Sequence, residues 1–310
     1  MKIINKGILF GCILLLLAGC QKEQKVDMKA IIEQEEAEKK EEAEKRKEEQ
    51  KKKEEQQERE QEQEQARLEE QRAREEEEQR KLEEQRRLEE QQAAEEARNA
   101  RGGLTIVLDP GHSAVVAPGT EPLGPGSSEY KAADASGTSG VASGMPEYEL
   151  TLNISVALKA ELENRGYTVL MTRESNDVPV SCIQRADVAN NANAAAYVRI
   201  HANGSENSGA QGAMTICTTA GSPYAAQLYS ASRNLSDCIL NKYCEATGCK
   251  SEGVWETDTM SGNNWSRVPV TIVEMGYMTN PDEDLLMQTA EYQVKIVQGI
   301  ANGIDLFLGY

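Results

Sequence analysis

The sequence predicts an α/β domain built on a largely parallel sheet, preceded by a long charged stalk that is either helical or disordered. Three observations predict it. Composition changes sharply along the 310 residues. Gly and Pro are absent from residues 21–101 and frequent beyond them. After residue 102, short apolar β-branched runs alternate with stretches of helical periodicity, the signature of βα units.

The chain divides into three expected segments: residues 1–20, 21–101 and 102–310. In the first, Lys2 and Lys6 precede a purely apolar run, Gly7–Leu17. Eleven residues are too few to span a bilayer, which takes about 20, but suit the core of an export signal. The run ends Leu17-Ala18-Gly19-Cys20, which resembles a lipoprotein cleavage site. That resemblance implies lipidation at Cys20, attachment to the membrane and work outside it.

Residues 21–101 carry 21 basic and 29 acidic side chains and no aromatic residue. Glu, Gln, Lys, Arg and Ala are strong helix formers. Opposite charges recur four apart, as in Glu41–Lys45, Glu42–Arg46, Glu76–Arg80 and Glu77–Lys81. Leu68 and Leu82 stand two heptads apart, but Glu75 interrupts them and Leu88 breaks the register, so a coiled coil has little apolar seam. A solvated single helix or weak coiled coil is expected, with disorder as the alternative. Wholly helical, residues 26–101 would reach roughly 110 Å at ~1.5 Å per residue. Arg101-Gly102-Gly103 reads as its stop and hinge.

Only residues 102–310 hold enough mixed apolar sequence for a core. Leu104–Leu108 is a buried strand running into Asp109-Pro110-Gly111-His112. Residues 113–146 are rich in Gly, Pro, Ser and Ala without periodicity and read as a long loop. Leu150, Ile154, Leu158 and Leu162 mark a helix that stops at Gly166. Strands are expected at Tyr167–Thr172, Ala195–Ile200, Gly212–Cys217 and Val270–Val273, with helices at Ile183–Ala194, 222–247 and Ala290–Leu308. This segment carries 11 basic against 23 acidic side chains, which argues against nucleic acid, whose phosphates need a basic face.

The chain has two histidines, His112 and His201, each just after an expected strand. Glu274 follows another strand, and Glu147 heads the first helix of the domain. In a parallel sheet such positions share one rim, where ligands gather. Two imidazoles and a carboxylate suit a catalytic zinc site, and a further carboxylate could carry protons. There is no His-Glu-x-x-His motif, and spacing alone leaves a packing role for the histidines equally open.

Four strings occur in order: Asp109-Pro110-Gly111-His112; Glu147-x-x-Leu150-x-Leu152; Arg199-Ile200-His201-Ala202-Asn203; and Val268-Pro269-x-x-Ile272-Val273-Glu274-Met275-Gly276-Tyr277. Together with Thr172-Arg173 and Arg185-x-x-x-Ala189-Asn190, they resemble the zinc-dependent N-acetylmuramoyl-L-alanine amidases over residues 104–310. The resemblance implies a twisted sheet flanked by helices and hydrolysis of the amide joining N-acetylmuramic acid to L-alanine in peptidoglycan. It also implies one Zn2+ held by His112, Glu147 and His201, with Glu274 as the catalytic carboxylate. Glu149 is the rival at the helix head; with Glu147, residues Leu150, Leu152 and Ile154 fall at the family's apolar offsets. Two departures concern substrate shape. Ser113-Ala114 replaces an expected glycine, and the 113–146 loop is long, either a lid or glycan-contacting rim or a tolerated insertion.

Cys182, Cys217, Cys238, Cys244 and Cys249 lack metal-type spacing and read as packing residues, with a disulfide among Cys238, Cys244 and Cys249 left open. Trp255, Trp265 and Tyr277 serve either sugar stacking or the core, and Asn264–Arg267 is a candidate groove segment. Rival functions are a zinc peptidase cutting within the stem peptide and a silent, wall-binding lipoprotein. A protein activator is left unspecified.

Overall fold

The computed structural model describes residues 28–310. The expected signal segment and its Cys20 lie outside the described residues. Of the two readings of the stalk, the structure shows the helix: α1 runs without a break over Met28–Arg101. Its side chains are exposed almost throughout, so no apolar stripe drives its formation. Local pairs sustain it instead: Glu41–Lys45 at 2.6 Å, Glu42–Arg46 at 2.8 Å and Glu77–Lys81 at 2.6 Å. Each exposed pair contributes only a few tenths of a kcal/mol. No described helix is long and apolar enough to cross a membrane.

Contacts divide the chain after Glu84 rather than at the glycine pair. The last turns of α1 therefore belong to the compact unit Gln85–Tyr310. Arg101 ends the helix but is pinned: Nε lies 3.2 Å from Asp305, and the guanidinium stacks 4.5 Å from the Tyr310 ring centre. The hinge expected at Arg101-Gly102-Gly103 thus begins, at most, beyond Arg101.

The main sheet has the order β4 (Thr168–Met171), β1 (Thr105–Pro110), β5 (Ala196–Asn203), β8 (Val270–Tyr277), β6 (Ala213–Cys217), β7 (Ser251–Glu256). The first four strands run parallel; β6 is antiparallel to β8, and β7 is parallel to β6. Helices α2 (Glu147–Arg165), α4 (Tyr229–Thr247) and α7 (Ala290–Leu308) pack together and against the sheet. Leu150, Ile154, Leu158 and Leu162 are fully buried there with Leu235, Ile239 and Ile300. A smaller cluster joins Val107, Tyr197 and Val270 to Ala186 and Ala189 of α3 (Cys182–Asn191).

Several elements differ from expectation. Strands β5 and β8 do not stop at Ile200 and Val273; they continue through His201 and Glu274, which pair in register. The polar side chains interrupt the apolar pattern but not the backbone ladder. The 113–146 loop contains an antiparallel pair, β2 (Thr120–Pro122) and β3 (Tyr130–Ala132), too short to show alternation. Residues 222–247 open with a 3-10 turn at Ala226–Leu228 before α4. Strand β7 and two short helices, α5 (Ser261–Asn264) and α6 (Pro281–Met287), were not expected. Helix α6 carries a sequence signal all the same: Asn280 caps the Asp282 and Glu283 amides, and Pro281 fills the first turn.

Leu158→Ala should cost about 3 kcal/mol of unfolding free energy, read as a lower urea midpoint at unchanged slope. Leu82→Ala, at a stalk position 61% exposed, should cost less than about 0.5 kcal/mol. Equal losses at the two positions would contradict this core.

Candidate metal centre and cleft

The carboxyl ends of β1, β5 and β8 meet the N-terminus of α2, and here His112, Glu147, His201 and Glu274 come together. Asp109 sets the geometry. Its carboxylate is fully buried at the end of β1 and accepts from Thr172 Oγ1 (2.5 Å), Arg185 Nη1 (2.8 Å), Arg199 Nε (2.9 Å) and Tyr197 Oη (3.2 Å). Burial alone would raise its pKa, but the two guanidiniums and the hydroxyl overcome this and hold it well below the usual carboxylate range.

The arginines then order the next three residues. Arg173 donates to the carbonyls of Pro110 (3.0 Å) and Gly111 (2.9 Å), and Arg185 to those of Pro110 (2.7 Å) and His112 (2.9 Å). These bonds hold His112 at φ 60°, a left-handed conformation that costs a non-glycine residue about 1 kcal/mol or more. Gly111 is required because a Cβ there would strike the His201 imidazole.

His112 Nδ1 lies 2.7 Å from the Ala135 carbonyl, so Nδ1–H is the donor and Nε2 is left with its lone pair. That Nε2 is 3.2 Å from Glu147 Oε1, and His201 Nδ1 is 3.1 Å from the same oxygen. The two imidazoles meet edge to face, 4.8 Å between centres. Glu147 is the first residue of α2, where the helix dipole favours a carboxylate; its oxygens also accept the Thr138 and Ala202 amides. Of the two glutamates at the helix head, Glu147 lies against both histidines and Glu149 makes none of these contacts.

This triad is the one cluster of metal-ligand type among the described residues, its ligand atoms within 4.8 Å of one another. A tetrahedral ion with bonds near 2.0–2.1 Å separates neighbouring ligand atoms by about 3.3 Å, close to the two spacings found. Two nitrogens and one oxygen fit a borderline-soft divalent cation. Burial pushes the His201 pKa down, which keeps the ring neutral, as a ligand must be. For His112 burial acts the same way, but the Glu147 carboxylate outweighs it and the net shift is upward. Glu147 itself stays ionised, well below the usual range, because both imidazoles outweigh its burial.

The profile of the N-acetylmuramoyl-L-alanine amidase family matches residues 106–305. The chain belongs to that family. Over 216 residues it is 28% identical to an N-acetylmuramoyl-L-alanine amidase of Mycobacterium tuberculosis, covering 66% of this chain and 87% of that protein. It is 27% identical to the amidase LytC of Bacillus subtilis, covering 65% of this chain and 35% of LytC. The crystal structure of the amidase Ami1 from Mycobacterium smegmatis superposes with a TM-score of 0.62 at 26% identity, over 67% of this chain and 98% of that one. The protein is a peptidoglycan hydrolase that cuts the amide between N-acetylmuramic acid and L-alanine.

Glu274 of the amidase lines a cavity of about 220 Å³ together with His112 and His201. Its Oε2 is buried with no hydrogen-bond partner. Burial first, then the Glu147 charge, raises its pKa to about 8, although His112 and Arg199 pull the other way. Of the other walls, the 113–146 loop was expected as a rim or an insertion without its wall residues being named, and residues 260–262 at α5 went unmarked in the sequence. Lys131 and Asp134 enter from the β3 end of the hairpin, and Met260, Ser261 and Gly262 from the segment at α5. The 113–146 segment is therefore structural to the site. It supplies the Ala135 carbonyl to His112 and the Thr138 amide to Glu147. Asn264 and Trp265 brace this wall from behind, donating to the carbonyls of Leu123 and Pro122 at 2.9 Å each. Tyr277 is buried, with its hydroxyl on Glu252, and Trp255 is half exposed on edge strand β7.

Because Asp109 has a lowered folded-state pKa, its contribution is complete above the unfolded value of about 3.9 and is lost as pH falls below it, toward the folded value. Asp109→Asn should cost about 3–5 kcal/mol at pH 7, since two buried guanidiniums lose their partner. It should also flatten the fall in stability between about pH 5 and 2. Urea midpoints of both proteins across that range check it; parallel pH curves would sink the assignment.

Proposed function

We propose that His112, Glu147 and His201 of this amidase hold a catalytic zinc ion and that Glu274 is the proton carrier of the hydrolysis. The observation that carries the reading is the convergence of His112 Nε2 and His201 Nδ1 on one oxygen of Glu147, at 3.2 and 3.1 Å, beside the unpartnered Glu274 carboxylate. Zinc bound there would polarise the scissile carbonyl, lower the pKa of a water toward about 7 and, by its charge, bring Glu274 down toward the ionised form.

The chain's own groups do the rest. Glu274 takes a proton from the attacking water as the water oxygen bonds to the lactyl carbonyl carbon. The same carboxyl then delivers that proton to the alanine nitrogen as the C–N bond breaks. A buried oxygen with no competing hydrogen bond suits a group that must hold a proton and release it within one turnover. The Ala135 carbonyl keeps the His112 ring in the tautomer that presents Nε2. Gly111 and Gly137 leave room: a Cβ at Gly137 would crowd Glu147 Oε2 and the His112 ring.

The family's substrate puts this work outside the cytoplasm. We propose further that Cys20 carries the lipid and that the charged helix spaces the amidase unit from the membrane, with peptidoglycan as the partner in the wall. The Lys2–Leu17 pattern and the uninterrupted helix α1 support that arrangement.

Purified peptidoglycan incubated with the chain should release stem peptides beginning with L-alanine, seen by mass spectrometry. Chelation should stop release and added zinc restore it. Intact glycan–peptide bonds with zinc-loaded protein would overturn the reading. Glu274→Gln should retain zinc by elemental analysis and lose about 10²–10⁴-fold in turnover. His201→Ala should lose the metal itself; Glu274→Gln with full activity would remove its role.

A further inference from the structure

Cys244, in the last turn of α4, and Cys249, five residues on, bring their sulfurs to 3.5 Å around the turn that leads into β7. The turn is shaped to hold them there. Gly248 takes the left-handed conformation at φ 75° and donates to the Cys244 carbonyl (2.9 Å). Thr247 Oγ1 donates to the Tyr243 carbonyl (2.7 Å) and accepts the Cys249 amide (3.3 Å). Both thiols are only partly buried, and Cys249 lines a separate surface cavity of about 290 Å³ with Gln211, Lys250, Glu283 and Tyr292. A small disulfide can therefore reach Cys249. Its neighbour's sulfur lowers the Cys249 pKa, against the effect of burial, and the same contact raises that of Cys244.

We propose that Cys244 and Cys249 are a redox-closable staple, oxidised by small or protein disulfides, that locks the α4–β7 turn behind the strand bearing Glu274. In the first step the Cys249 thiolate attacks an external disulfide R–S–S–R, forming a mixed disulfide and releasing one thiolate. Cys244 then loses its proton and attacks the Cys249 sulfur, closing the Cys244–Cys249 bond and releasing the second thiolate. Two protein thiols are oxidised and one external disulfide is reduced to two thiols.

The turn is tied to β8 at one end and to its neighbour β6 at the other. Next to Cys244, the Tyr243 hydroxyl donates to the Met275 carbonyl (2.6 Å), one residue past Glu274. Next to Cys249, the Lys250 carbonyl accepts the Ala213 amide (2.9 Å), and the following residue, Met214, pairs with Glu274. Cys182, Cys217 and Cys238 have no such thiol neighbour among the described residues.

The test treats the full chain with 2-hydroxyethyl disulfide, alkylates what remains and digests with trypsin, which isolates Tyr243–Lys250 with both cysteines. The expected product is that peptide two hydrogens lighter and unalkylated, with an unfolding midpoint about 5 °C higher that reverts on reduction. Cys244→Ser should trap the hydroxyethyl adduct at Cys249, and Cys249→Ser should react at least about tenfold more slowly. A stable adduct on Cys249 with Cys244 still alkylatable in the unsubstituted chain would overturn the proposal. So would closure without a change in midpoint, or equal reactivity of the two single variants. None of these readouts depends on zinc or on turnover.

Discussion

A single buried carboxylate organises this site. Asp109 lies near the end of β1, between β4 and β5 in the sheet, and its four partners come from the residue after β4 (Thr172), from α3 and from β5, so one group registers three flanking elements at the rim where chemistry happens. Burying a charge is expensive, and an ion pair in the interior repays the desolvation only when every partner is satisfied. Here the two arginines do more than neutralise Asp109. Arg185, with Arg173, donates to the carbonyls of Pro110, Gly111 and His112 where β1 ends, and Arg199 turns its remaining donor to Asn263 Oδ1 (3.3 Å). The unusual backbone of His112 is held by that grid.

That arrangement explains which parts of the site were legible in the sequence. The two histidines and Glu274 stood out at the ends of apolar runs and Glu147 at a helix head, but spacing left a packing role equally open and the four family strings decided the reading. Arg173 and Arg185 were visible only as motif letters, since nothing local reveals that a guanidinium far along the chain will satisfy the turn after β1. Arg199 was likewise part of a string, yet it donates to Asp109 and forms a wall of the cleft.

The expected strand ends at Ile200 and Val273 fell short for a related reason. Apolar alternation reports burial against a core, whereas the ladder continues wherever neighbouring backbones stay in register. His201 and Glu274 therefore lie within paired strands, side by side. This placement gives their side chains a fixed backbone, which a loop would not. The hairpin β2–β3 and strand β7 escaped notice because a three-residue pair and a half-exposed edge carry too little periodicity, not because their sequences point elsewhere.

The long segment between His112 and Glu147 is where fold and specificity separate. Sheet and helices bring His112, Glu147 and His201 together within the stretch, residues 106–305, that the family profile matches. The segment adds the Ala135 carbonyl and Thr138 amide to that geometry and then lines the opening with Lys131 and Asp134. Its far end is held by Asp284 of α6, which accepts the amides of Ala142 and Ser143 at 2.8 Å each and the Ser143 hydroxyl at 2.6 Å. The loop is anchored at both ends and bonded through its backbone to His112 and Glu147, even though its middle carries no core. The geometry of the His112–Glu147–His201 cluster and the shape of the cleft are thus coupled: shifting the backbone of the hairpin segment that faces the cleft also shifts what orients His112 and Glu147.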